Sequence, residues 1–239
     1  AAECERLLGL LAPESPTALA SVLGPGGMGK TRLCLEVARL LQPRFAATAF
    51  VALADLGDAE ALYPAVAAAL GLASERSEAP EQRLAESIVL PTLLVLDNAE
   101  PLLPALAVPV LRLLERAPAL KVLVSSREAL GIDGERELWL DPLSPEDART
   151  LLHDRAPTPS SPDPADDAAL RTIAERLDGL PLALELAAAR LRVYSPSELC
   201  EQLRLDLLAT RDVTRPARHR TMRAAIAGSY DRMDARERG

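Results

Sequence analysis

The sequence predicts an α/β protein, a parallel sheet with flanking helices followed by a small all-helical region. Three observations predict it. Short β-rich runs alternate with helical patterns over the first two thirds of the chain. One of those runs is apolar at nearly every position. After Pro142 the strand signals stop and proline-started helices take over.

The β-rich runs are residues 18–23, 49–53, 92–96, 122–125 and 137–140. Their spacing leaves room for crossover helices, which parallel strands require. Residues 92–96, Thr-Leu-Leu-Val-Leu, do not alternate polar and apolar, as expected of a strand covered on both faces. Between the runs, 30–41, 60–72 and 108–116 have helical length and apolar spacing, while 75–82 reads as a polar surface loop. Further on, Ser144-Pro145-Glu146-Asp147 supplies an N-cap, a first-turn proline and acids that suit the helix dipole. Ser195-Pro196-Ser197-Glu198 repeats the device with capping-box spacing, and Asp163-Pro164 offers a third start before a helix at 168–177. Residues 157–167, rich in Pro, Ser and Asp, read as an exposed loop within this helical bundle.

Between the first run and the first helix lies Gly24-Pro25-Gly26-Gly27-Met28-Gly29-Lys30-Thr31, which fits G-x-x-x-x-G-K-T in the strand-then-helix context that motif needs. Glycines let the backbone bend so that N–H groups point at phosphate oxygens, and the helix N-terminus adds partial positive charge. The loop is therefore expected to bind a purine nucleoside triphosphate, ATP with Mg²⁺, or its diphosphate ADP. Lys30 would reach the β- and γ-phosphates and the Thr31 hydroxyl would be a metal ligand, with Met28 a loop residue and Arg32 next along the helix. The chain has 25 arginines and two lysines, Lys30 and Lys121. A lysine at the phosphate position in so arginine-rich a chain fits the need for a compact point charge. Lys121, just before a strand, reads as a solvated strand-end charge.

Leu93-Leu94-Val95-Leu96-Asp97 is an apolar strand ending in a carboxylate, the form of a Walker B element, and Asp97 would hold Mg²⁺ opposite Thr31. The next residue is Asn98, where many such ATPases carry a glutamate; asparagine cannot be a general base. Glu100 could substitute or could be a solvated loop carboxylate. Val122-Leu123-Val124-Ser125-Ser126-Arg127 should end on the same sheet edge. Arg127 there would either sense the γ-phosphate or pair with Glu128 or another surface acid. Asp97, Asn98 and Arg127 are thus the candidates facing the chemistry.

Together with Gly179-Leu180-Pro181-Leu182-Ala183-Leu184, these residues resemble the STAND class of signalling NTPases in the NB-ARC arrangement. Within that class the chain is most similar to bacterial transcriptional regulators of the LuxR and SARP kinds. Residues 219–226 and 229–231 also resemble that family's entry into a winged-helix domain. The resemblance implies a P-loop NTPase fold and places Pro181 near the nucleotide base. On the residues alone, Gly-Leu-Pro is a helix break before a proline-started helix. The resemblance further implies that exchange of ADP for ATP rearranges the domains and exposes a self-association surface. Two departures stand out. The Gly-Arg-Glu element that usually precedes the first helix is not visible at residues 1–6. The histidine that contacts the β-phosphate in the family would lie beyond Gly239, so neither His153 nor His219 takes that role.

The expected domains are 1–142 for nucleotide binding, 143–208 for a helical domain with the Gly-Leu-Pro-Leu element, and 209–239 for the truncated start of a winged helix in an excised fragment. Composition narrows the function. At 49% hydrophobic and 26% charged the chain is ordinary for a globular protein, and it shows neither a signal-peptide core nor a membrane span, so cytoplasmic placement without membrane partners is expected. Cys4, Cys34 and Cys200 fit reduced core thiols. A net charge of −8, with eight arginines against four acids confined to residues 211–239, argues against specific DNA binding by these residues. The expected function is an ATP/ADP-binding signalling switch with weak hydrolysis. The alternatives are a dedicated ATPase or phosphotransferase, for which no acceptor pocket or efficient base is legible, and a structural module with a vestigial site.

Overall fold

In a computed structural model of the chain, residues 2–72, 79–155 and 164–203 are described. They divide into two compact units. The first comprises Ala1–Gly24 and Lys30–Leu140; the second takes the five residues Pro25–Gly29 together with the chain from Asp141 onward.

The first unit is a parallel sheet with helices on both faces. In chain order its elements are α1 (Ala2–Leu10), β1 (Leu19–Leu23), α2 (Lys30–Leu41), β2 (Ala47–Ala52), α3 (Leu62–Ala69), α4 (Pro80–Ser87), β3 (Thr92–Asp97), α5 (Ala107–Arg116), β4 (Leu120–Ser126) and β5 (Arg136–Trp139). The strand order is β2-β3-β4-β1-β5, and every neighbouring pair is parallel. This is the fold the alternating runs predict. The sheet's period of two divides its core. Leu19, Leu94, Leu96, Val122 and Val124 pack with α3, α4 and α5, whereas Ala20, Val22, Leu93, Val95 and Leu123 pack with α1 and α2. All six residues of β3 are buried, which is why that run shows no polar alternation.

Two readings change. Of the loop expected at 75–82, residues 75–78 lie outside the described residues, and 80–82 belong to α4, whose Leu84 and Ala85 reach the core behind a polar face. Lys121 is not solvated: it is buried, and its ammonium donates to the carbonyls of Ser15 at 2.5 Å and Thr17 at 2.9 Å. Burial pushes that ammonium below the ordinary lysine range, partly offset by Glu14. Lys121 thereby ties the approach to β1 onto β4, a job that suits an ammonium with several donors on a flexible stem.

In the second unit the described residues from Asp141 on form helices only: α6 (Pro145–Arg155), α7 (Pro164–Arg176), α8 (Pro181–Arg190) and α9 (Pro196–Gln202). Each begins at the proline that the sequence offers. Ser144 Oγ accepts from the Asp147 N–H at 3.1 Å, and Ser195 with Glu198 completes the expected capping box. Residues 164–167 of the expected exposed loop belong to α7, because Pro164 can open a helix but not continue one. Leu152, Leu170, Ile173, Leu184, Leu186 and Leu199 make the core of this bundle. The expected winged-helix start at 209–239 lies outside the described residues.

Of the three free thiols, Cys34 is in the core while Cys4 and Cys200 are partly exposed. No helix among the described residues is long and apolar enough to cross a membrane.

Candidate functional site

Parallel pairing brings the carboxyl ends of β1, β3 and β4 to one edge of the sheet, where ligand sites of open α/β sheets form. The register sets what meets there. β1 ends with Leu23 opposite Ser126, and β3 runs beside β4 with Leu96 opposite Val124. One residue further along, Asp97 stands next to Ser125.

Asp97 is buried, and its Oδ1 accepts from the Thr31 hydroxyl at 2.7 Å and the Ser125 hydroxyl at 2.5 Å. Two neutral donors on one carboxylate oxygen compensate for its burial without cancelling its charge. Thr31 and Asp97 thus present hard oxygen donors side by side, the donor chemistry that Mg²⁺ prefers. Ser125 was not singled out by the sequence. The signal was present in the Ser125-Ser126 pair closing an apolar strand, but only the strand order shows that β4 lies between β1 and β3.

Lys30 opens α2 and is buried, its ammonium donating to the Gly24 carbonyl at 2.7 Å. Burial pushes its pKa down; the nearby Glu100 carboxylate is the largest influence pushing it back up, with Asp97 adding to this and Arg127 opposing. Gly24 takes φ +142, where a side chain would strain the chain. Arg32, two residues along α2, is exposed.

The rest of the glycine-rich loop, Pro25–Gly29, belongs to the second unit. There the Gly27 carbonyl accepts from the Leu182 N–H at 3.1 Å, and a Cβ on Gly27 would come within 3.0 Å of Leu182 Cβ. Gly27 and Gly29 have φ of +85 and +88, while Gly26 has no such backbone and Met28 is buried. Pro181 is the first residue of α8, directly before the Leu182 that holds the loop, and Asp178 and Gly179 make the left-handed break ahead of it.

Asn98 sits at φ +61, a backbone that Asn tolerates better than most residues, and gives its N–H to Ser125 Oγ at 3.0 Å. That explains an amide residue here without assigning it chemistry. Glu100 is not the solvated carboxylate that was one option; its side chain is only 10% exposed. Arg127 pairs with Glu100, Nε to Oε1 at 3.6 Å. Among the described residues no cluster of three or more His, Cys, Asp or Glu side chains could hold a metal. A cation here would depend on Thr31 and Asp97 with oxygens from a phosphate ligand or water.

Comparison with known proteins agrees with this geometry. Residues 14–131 match the family described as an AAA domain. A Mycobacterium tuberculosis protein provisionally named an HTH-type transcriptional regulator is 36% identical over 222 residues, covering 89% of this chain and 25% of that protein. An uncharacterised protein from the same organism is 34% identical over 230 residues, covering 92% and 58%. The chain therefore spans between a quarter and somewhat over half the length of these relatives. Among solved structures, Cdc6p from Pyrobaculum aerophilum is similar at TM-score 0.61 and 19% identity, covering 80% of this chain and 60% of that one. The Aeropyrum pernix Orc1 protein, solved in complex with DNA, is similar at TM-score 0.59 and 24% identity, covering 82% and 61%. These two likenesses show the fold alone. Residues 14–131 are an AAA-type P-loop NTPase domain.

Proposed function

We propose that this AAA-type domain binds ATP or ADP with Mg²⁺ and serves as a slowly hydrolysing nucleotide switch of the STAND, NB-ARC kind within a larger transcriptional regulator. The observation that carries the reading is the set of buried Lys30, Asp97 and Ser125 with the half-buried Thr31 at the carboxyl edge of the sheet. Nothing in the packing of the core requires a lysine and an aspartate there. Both fit a polyphosphate with its cation.

In this reading the N–H groups of residues 26–31, at the loop and the start of α2, hold the phosphates, and Lys30 moves from the Gly24 carbonyl to the β- and γ-phosphate oxygens. Thr31 and Asp97 would hold Mg²⁺, which when bound neutralises phosphate charge. Ser125 keeps Asp97 oriented, Asn98 shapes the strand end beside it, and Arg127 stands ready for the γ-phosphate. Pro181 is assigned to the base end of the nucleotide on the family resemblance. Residues 1–142 form the nucleotide domain, 143–208 the helical domain and 209–239 the opening of a winged helix, with ATP favouring self-association. The mycobacterial relative's name supports a regulatory parent.

The test is direct. Mass spectrometry of small molecules released on denaturing the purified chain should find ADP or ATP, and emptied protein should bind both only weakly without Mg²⁺. Steady-state hydrolysis should lie well below the roughly 1 to 10³ s⁻¹ typical of enzymes. Fast turnover abolished by Asp97→Ala would instead favour a dedicated ATPase.

DNA recognition is placed outside these residues. The net charge of −8 motivates this expectation. In a gel shift at near-physiological salt, a pool of random duplexes should yield no enriched sequence; enrichment would put a DNA reader inside the chain.

A further inference from the structure

Glu100 opens the short 3₁₀ turn Glu100–Leu102 just beyond β3, and the proposed function leaves it without a task. Its side chain is nine-tenths buried, yet Oε2 has no hydrogen-bond partner, and Oε1 meets Arg127 only at the loose distance of 3.6 Å. A buried carboxylate oxygen without a donor costs stability unless something fills its place. Glu100 is also the largest of the charges that raise the Lys30 pKa against burial, so its carboxylate acts at the same edge as the ammonium assigned to the β- and γ-phosphates. Asp97 and Asn98 do not fill this role. Asp97 Oδ1 already holds two hydroxyls, and Asn98 carries no basic atom.

We propose that Glu100 is the catalytic base of nucleotide hydrolysis in this chain, reached through a two-residue displacement from the position that Asn98 occupies. The inference rests on the ATP-binding reading above. Oε2 takes a proton from a water molecule as the water oxygen bonds to the γ-phosphorus. The bond from that phosphorus to the bridging oxygen breaks, and its electron pair leaves with ADP. The proton then passes from Glu100 to the released phosphate. The ion pair with Arg127 draws the carboxylate's charge away from the water, which fits slow turnover and gives Arg127 two successive anionic partners, Glu100 and then the γ-phosphate.

The experiment compares the whole chain with its Glu100→Gln variant, an isosteric change that keeps the turn filled. Calorimetric titrations with MgADP and MgATP are run beside single-turnover cleavage of radiolabelled ATP with protein in excess. Affinity for ADP should hold. The preference for ATP over ADP should rise roughly threefold to tenfold, the scale of one unit charge removed from beside the γ-phosphate in a partly solvated site. Cleavage should slow by about 10² or more, the usual worth of a positioned base. A purely structural Glu100–Arg127 pair would change stability and leave both the preference and the rate where they were, and that result overturns the proposal. So does a parent chain that binds ATP and never cleaves it. If Glu100→Gln does not fold, Glu100→Asp carries the rate arm of the test, since a carboxylate withdrawn by one methylene should still cost about tenfold in rate while the charge beside the γ-phosphate, and so the preference for ATP, stays the same. Failure of the parent chain to bind either nucleotide is a separate result, which sinks the nucleotide-binding reading and this proposal with it.

Discussion

Lys30→Ala is expected to weaken ATP binding by tenfold to a hundredfold, because it deletes a charge-assisted contact to phosphate worth about 1.5 to 3 kcal/mol. The structure adds reasons to expect the protein to fold. The ammonium is buried, it donates to the Gly24 carbonyl, and burial already holds its pKa down, so it costs the fold desolvation energy. Alanine also suits the first turn of α2. Lys30→Arg should rescue little, since a planar guanidinium is a poor substitute for the compact point charge of the ammonium. Calorimetric titration of both variants, with a thermal melt to confirm folding, checks this. Equal affinity in a folded Lys30→Ala protein would remove the loop from the binding site.

Gly179→Ala should be the most damaging single change in the second unit, lowering its stability by about 2 to 4 kcal/mol. Gly179 lies at φ +63, and an added Cβ would stand 2.3 Å from the Leu143 carbonyl oxygen and 3.1 Å from the Leu143 nitrogen. Those are backbone atoms and cannot swing aside. Nor can the strands of chain separate without loss, because the Leu143 N–H donates to the Gly179 carbonyl at 3.0 Å. Denaturant unfolding followed by far-ultraviolet circular dichroism would measure the effect. A variant as stable as the parent would mean that the break before α8 is not built as described.

How far the sequence carried the site depends on which kind of signal each residue leaves. Lys30, Thr31 and the loop glycines are contiguous, so their spacing alone marks them, and Asp97 is marked by the apolar run that it ends. The prolines and cap residues that start α6 to α9 act within one helical turn, and each helix starts where they stand. The helix α4 left a weak trace because only Leu84 and Ala85 of its eight residues are buried, too few for a clear period.

The sequence by itself determined the alternation that makes a parallel sheet, the glycine-rich loop at the head of a helix, and the helical character of the region after Pro142. Each of these is a local pattern, fixed by residues within a turn or a strand of one another. Tertiary structure alone decided that β4 lies between β1 and β3, which sets Ser125 against Asp97 across 28 residues of chain. It also decided that Lys121 turns inward to the carbonyls of Ser15 and Thr17, and that Arg127 meets Glu100. Such choices depend on strand order and on which charges become buried together. Neither is encoded in spacing along the chain, because a partner's distance in space is set by how the sheet is assembled.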